Sequence, residues 1–373
     1  MRSREITVGR HGGLTVSAQP TIVLIDDNES LIRALNTAIE SRLKDGEGRV
    51  KTWVPREQVD IDVRKNFRDR IEGRDTVLVI TDDDLSTTFK GLSGTSIVAW
   101  CQALALPVGD FSRGVDNLLP KEPNPFELRI PTDAGEAADF IVNAFRGFQH
   151  FRRQLEAIAP DDLEHSLAAV LSRLLGRPHL ETQFAPYVTR LASANGSLIQ
   201  MLLKGKADRV KILVYVLGHV MLNAVIKFPG PIMHEAALCA YVGTDSREGS
   251  TLAELFKDAR YDGPFQMGER LYWAETVDAL LDKFGESIAD ESFDDFGDLN
   301  RSIAERAIGK GLATHGCARC GGVKGGFWCP FMLRPVCVRE DCSVPSSSWI
   351  PQGAHVCRVE RDFYDEWAPV LGL

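Results

Sequence analysis

Two uninterrupted apolar runs constrain the fold of this chain more than any other feature. Thr21-Ile22-Val23-Leu24-Ile25 and Thr76-Val77-Leu78-Val79-Ile80 are rich in β-branched residues and have no polar residue alternating through them. A strand of that kind is buried on both faces, which implies a parallel sheet covered by helices on each side. Each run ends in carboxylates, Asp26-Asp27 after the first and Asp82-Asp83-Asp84 after the second. Open α/β sheets hold ligands beyond the C-terminal ends of their strands. Carboxylates gathered there have a hard divalent cation such as Mg2+ as their natural partner. Between the strands, Asn28-Glu29-Ser30 leads into the helical spacing Leu31, Ile32, Leu35, Ala38, Ile39. The plainer reading of the same acids is that they form strand-end turns and cap helices.

With these motifs in place, residues 20–150 resemble the receiver domain of response regulators. The acidic pair Asp26-Asp27 matches that family's first strand end, and Asp82 or Asp83 matches its phospho-accepting aspartate. Gly91 lies eight positions after Asp83, and Gly94 precedes a helical stretch from Ser96 to Trp100. Leu119-Pro120-Lys121-Glu122-Pro123 looks like the lysine-bearing loop after the last strand. The resemblance implies a flavodoxin-like parallel sheet, Mg2+ held by Asp26, Asp27 and Asp83, and a phosphoacceptor at Asp82 or Asp83. It also implies a phosphoryl contact from Lys121 and a protein partner, either a histidine kinase or a downstream effector. The chain departs from the family in the long charged segment 44–74 and in the polar Ser86-Thr87-Thr88 after the acids. It departs again at the fourth strand, where Ser112 is the candidate hydroxyl.

Cysteines organise the other end. Six of the eight fall between Cys317 and Cys357. Nothing between Met1 and Gly13 reads as a secretory signal, so a reducing cytoplasmic setting and a metal, rather than disulfides, are expected. Cys317-x2-Cys320 on a glycine-rich turn and Cys337-x4-Cys342 offer four thiolates to one zinc ion. A second set, His315, Cys329, His355 and Cys357, has the composition for another ion, and spacing leaves one ion or two open. An all-cysteine site is closed, so its metal builds a fold rather than catalysing. Trp328, Trp349, Phe363, Tyr364 and Trp367 form either a core around it or a recognition face. Cys101 and Cys239 sit in apolar stretches and read as packed thiols.

Between these ends the spacing turns helical. Helices are expected from Glu136 onward, from Leu163 to Leu175 with Asp161-Asp162 as cap, and over 184–204, 207–227, 234–242, 250–259 and 266–284, giving an all-α domain. The apolar run Ile212–Ile226 is shorter than the roughly 20 residues a bilayer requires, and reads as a buried helix. His150, His219 and His234 read as packed or solvated. Glu286 to Asp298 carries six acids and no base, the pattern of a solvated linker or of an acidic docking peptide. The expected order is a flexible start (1–19), a receiver-like α/β domain (20–150), a helical domain (151–285), an acidic linker and helix (286–313) and a zinc module (314–373).

A net charge of −9 gives no global field toward nucleic acid or anionic membrane. Lys324, Arg334, Arg339, Arg358 and Arg361 are interleaved with Glu340, Asp341, Glu360 and Asp362 and read as a mixed surface. The function that fits these parts is intracellular regulation, in which the receiver controls protein contacts of the helical and zinc parts. Two other classes stay in view, a Mg2+-dependent enzyme of phosphoryl chemistry using the N-terminal aspartates, and a nucleic-acid binder acting through the zinc module. No nucleophile or base beyond the carboxylates supports the enzyme.

Overall fold

The computed structural model describes residues 19–56, 62–71, 75–86, 88–111, 124–159, 163, 165–194, 196, 208–285, 293, 295–345 and 348–370. Its N-terminal part is a five-stranded sheet of order β2-β1-β3-β4-β5, every neighbouring pair parallel. The strands are β1 (Thr21–Ile25), β2 (Arg49–Trp53), β3 (Thr76–Thr81), β4 (Val108–Asp110) and β5 (Leu128–Arg129). Alternate residues of the apolar runs enter opposite cores, as a period of two requires. Ile22, Leu24, Leu78 and Ile80 pack with α1 (Glu29–Glu40) and α4 (Ala134–Glu156). Val23, Ile25 and Val79 pack with α2 (Val63–Ile71) and α3 (Gly94–Ala103). Helices thus cover both faces, as the runs predict. The order is that of a doubly wound sheet with its switch point between β1 and β3.

The 23-residue α4 joins this sheet to the rest of the chain. Asp133 caps it by accepting from the Gly135 and Glu136 N–H groups. Its first half lies beside α1, pinned by Arg42–Asp139 and by Arg146–Glu47. Its second half sends Phe148 and Phe151 into the helical region against Phe265. Gly147 and Gly218 make this possible, since an added Cβ would lie 2.3 Å from the Phe265 ring and 2.1 Å from the Phe148 ring respectively. The boundary expected at residue 150 therefore falls inside one continuous helix.

The helical region contains α5 (Leu167–Leu174), α6 (Glu181–Ala194), α7 (Arg209–Val220), α8 (Glu235–Tyr241), α9 (Gly249–Leu255) and α10 (Ala274–Gly285). Ser166 caps α5, and the expected caps Asp161-Asp162 lie outside the described residues. α7 is buried continuously from Ile212 to Val220 and runs into a π turn over Met221–Val225. Among the described residues no helix is long and apolar enough to cross a membrane. The expectation of an all-α region needs correction, because β6 (Ile232–His234), β7 (Arg260–Tyr261) and β8 (Leu271–Trp273) form an antiparallel sheet of order β6-β8-β7. Strands of two or three residues are too short to show alternation. The helix expected over 266–284 is accordingly a strand followed by α10.

The C-terminal part carries α11 (Phe296–Ile308), the hairpin β9 (Phe327–Cys329) and β10 (Arg334–Val336), the pair β11 (Ser343–Val344) and β12 (Val359–Glu360), and α12 (Arg361–Trp367). It is packed onto the helical region. Phe331 meets Phe228, Arg190 donates to the Ser348 carbonyl, and Gly326 lies so close to α8 that an added Cβ would strike the Ala240 carbonyl. Asp295 and Asp298, the end of the acidic run, form the start of α11. Asp295 caps it and also accepts from the Gly325 N–H at 2.9 Å. Those two residues belong to a docked helix start, and 286–292 and 294 of the acidic run lie outside the described residues.

Candidate metal centres

The first candidate centre lies at the C-terminal edge of the parallel sheet. β1 and β3 are neighbours with Ile25 opposite Thr81, so the residues that follow both strands emerge side by side. The Asp82 N–H donates to the Ile25 carbonyl at 2.9 Å and holds the two chain segments together. Asp26, Asp27 and Asp82 each bring a carboxylate oxygen within 4.8 Å of the others. Asp26 is 7% exposed, and its Oδ1 accepts from the Asn28 N–H at 2.6 Å. Asn28 in turn caps α1 by accepting from Ser30 and Leu31. Neighbouring oxygens around Mg2+ stand roughly 3 to 4 Å apart, given its ~2.1 Å bonds, so small side-chain rotations bring this hard donor set to one ion.

Asp83, expected as a third ligand or as the acceptor, stands outside this group and is exposed. The reason is the turn after β3. Gly94 packs against the Asp82–Asp83 backbone and its N–H donates to the Asp83 carbonyl at 2.8 Å, and an added Cβ there would lie 2.3 Å from the Asp82 carbonyl. The turn leaves Asp82 over the sheet edge and directs Asp83 outward. Gly91 has a φ of +84°, which fits the glycine expected there.

Two other sequence expectations change. Lys121 and Ser112 lie outside the described residues, and β5 at Leu128–Arg129 places Lys121 before the last strand, not after it. The residue at the end of β4 is Asp110, which the sequence did not single out because a three-residue strand leaves its register open. Asp110 pairs in register with Thr81 and Arg129. Its Oδ1 is buried without a hydrogen-bond partner. Burial, and then the charges of Glu127, Asp83 and Asp82, push its carboxyl up to about 7, with Arg129 opposing.

The second centre is built from sulfur. Cys317, Cys320, Cys337 and Cys342 bring their Sγ atoms within 4.8 Å of one another. The Cys320–Cys337 separation is 3.7 Å. A tetrahedral zinc with ~2.3 Å bonds needs sulfurs about 3.8 Å apart, whereas a disulfide needs ~2.05 Å. The geometry is that of a metal site. The first pair sits on a tight turn in which Gly321 N–H donates to the Cys317 carbonyl and Cys317 N–H to the Gly322 carbonyl. The second sits on a turn closed by Cys342 N–H donating to Arg339. The Gly322 N–H, 3.3 Å from Cys320 Sγ, favours the thiolate and brings that thiol down to about 7.

His315, Cys329, His355 and Cys357 do not assemble as a second set. His315 donates from Nε2 to the Val336 carbonyl, Cys329 Sγ accepts from the Glu360 N–H, Cys357 Sγ donates to the Pro229 carbonyl, and His355 bonds to the Gly353 carbonyl. Cys357 and His355 face the helical region, His355 against the Tyr241 ring, and Cys329 is bonded within the C-terminal part. The aromatic residues are packed as well. Phe331 stacks on Phe363 with centroids 5.3 Å apart, and Trp349, 2% exposed, meets both. They form the core, not a recognition face. The basic residues are engaged locally, Arg334 with Glu360, Arg339 with Asp341, Arg361 with Asp365, and Arg358 over the Phe327 ring. Compared with known protein families, curated proteins and solved structures, the chain has no significant match.

Proposed function

We propose that this chain is a regulatory protein whose N-terminal domain works as an atypical receiver, with Asp26 and Asp27 holding Mg2+ and Asp82 as the acceptor. The observation that carries this reading is the meeting of those three carboxylates at the switch point of a 2-1-3-4-5 parallel sheet. Mg2+ bound there would neutralise the acids and offset the charge of an acyl phosphate on Asp82. Arg129, opposite Asp110 in register, is a cation at this edge suited to a phosphoryl group. The output passes through α4, whose buried face belongs both to the sheet and to the helical region. The zinc module, held by Cys317, Cys320, Cys337 and Cys342, supplies a rigid surface for a protein partner such as a histidine kinase or an effector.

Incubation with acetyl phosphate and Mg2+ followed by intact-mass spectrometry tests the reading. A single phosphoryl adduct is expected that disappears in Asp82→Asn and persists in Asp83→Asn. Absence of any adduct, or its persistence in Asp82→Asn, removes the phosphoacceptor. A nucleic-acid role finds no support in the zinc module, where the basic side chains named above are drawn onto acids and a ring.

A further inference from the structure

Away from both metal centres, a cavity of about 160 Å³ lies between α8 and the β9–β10 hairpin. Trp328 and Ala240 form apolar walls, and Thr244 and Asp245 bring polar groups from the turn that follows α8. Leu333, 61% exposed, stands at the mouth. The frame is fixed by its backbone. The Trp328 N–H donates to the Val356 carbonyl and the Trp328 carbonyl accepts from Arg358, while Thr244 N–H donates to Cys239 and Asp245 N–H to Ala313. The Trp328 ring is held nearly perpendicular to that of His234, with centroids 5.2 Å apart.

Two groups of this lining call for opposite partners. Trp328 is 8% exposed, and its Nε1–H is buried with no hydrogen-bond partner among the described residues. An indole N–H can only donate, so it calls for an acceptor, and a buried donor left unmet is costly. The Thr244 hydroxyl, 1% exposed, gives its proton to the Cys239 carbonyl at 3.3 Å and keeps its lone pairs, so it calls for a donor. The remaining polar groups are already engaged, His315 Nε2 with the Val336 carbonyl and Asp245 Oδ1 with Arg247. A cavity of this size accepts one six-membered ring. A cation would leave the indole donor unmet, and an anion would face the Asp245 carboxylate at close range.

We infer that this cavity binds a neutral six-membered cyclic amide, whose carbonyl accepts from Trp328 Nε1–H and whose N–H donates to Thr244 Oγ1. A lactam carries the acceptor and the donor side by side on a flat ring, and so pairs both groups without bringing a charge. The site is independent of the acidic sheet edge and of the receiver reading.

2-Pyridone, which carries both groups, and benzene, which has the ring alone, are the probes, titrated by calorimetry into the zinc-loaded full chain. 2-Pyridone is expected to saturate the protein at millimolar concentration. It should bind about tenfold more weakly to Trp328→Phe and to Thr244→Val, each of which removes one hydrogen bond and keeps an apolar wall. Benzene should change by less than about threefold in Thr244→Val, since the space is the same. Zinc content is checked in both variants. No saturation by 2-pyridone at millimolar concentration would leave the cavity to water and overturn the assignment. Unchanged 2-pyridone affinity in either zinc-loaded variant, or an equal loss of benzene binding in Thr244→Val, would overturn it too. Should Trp328→Phe lose its zinc, Thr244→Val carries the test alone.

Discussion

His219 makes the shared core of this protein sensitive to acid, and the size of the effect follows from its surroundings. The side chain is fully buried among the rings of Phe126, Phe148 and Tyr215. Its Nδ1 donates to the Tyr215 carbonyl at 2.7 Å, and Nε2 has no partner. Burial drives its pKa down from 6.5 to about 4, opposed by the Tyr215 hydrogen bond. A depressed folded pKa means that the stabilisation is complete above the unfolded value of ~6.5 and is lost as pH falls through the folded value. The shift of about 2.5 units corresponds to about 3 kcal/mol in full, of which about 2 kcal/mol is already gone at pH 5. His219→Phe keeps a ring in the same shell and removes the titration. Urea unfolding at pH 7 and pH 5, followed by tryptophan fluorescence, measures both proteins. The wild type should lose about 2 kcal/mol more than the variant between those two conditions. Equal losses would refute the argument that this imidazole stays neutral because it is dry.

Other outcomes can be measured on the same protein. Zinc should be found at one ion per chain, with Cys337→Ser losing it and His355→Ala retaining it, as judged by metal analysis after dialysis. Gly147→Ala, which puts a methyl into the Phe265 ring, should destabilise by about 1–3 kcal/mol in denaturant titration, while Gly176→Ala, with open space but a φ of +69°, reports backbone strain alone. Glu360 is 1% exposed and paired with Arg334, whose side chain is 40% exposed, so Glu360→Ala should cost about 1–3 kcal/mol, because the guanidinium can turn to water. Asp110→Asn in chelator should stabilise the protein more at pH 8 than at pH 5, because its raised pKa makes the native acid costly to ionise as pH rises through about 7. Added Mg2+ should shrink that difference in the wild type by neutralising Asp82.

The sheet was legible because burial on two faces leaves no room for polar alternation, so the two central strands stood out with their terminal acids. The four-thiol cluster was legible because paired thiols on tight turns encode direction as well as composition. Direction is what the second set lacked. Cys329 lies on β9 and Cys357 close to β12, and each sulfur is turned to a backbone group beside it, while His315 is turned to a carbonyl. Lys121 was misplaced because a two-residue β5 gives no pattern against which to count. Asp110 was passed over for the same reason, and the three short strands from Ile232 to Trp273 were hidden within helical spacing. Which of Asp82 and Asp83 meets Asp26 and Asp27 depended on how Gly94 closes a turn, which is tertiary information.

α4 has a mechanical consequence. Its near half is glued to the sheet and its far half is wedged between aromatic rings, so the two halves of the molecule cannot swivel about a hinge at residue 150. A push at the acidic rim would travel as a shift or roll of a stiff rod. Cutting the chain at that point would strand Phe148 and Phe151 in water on one fragment or the other, and the isolated N-terminal piece should aggregate rather than stand alone.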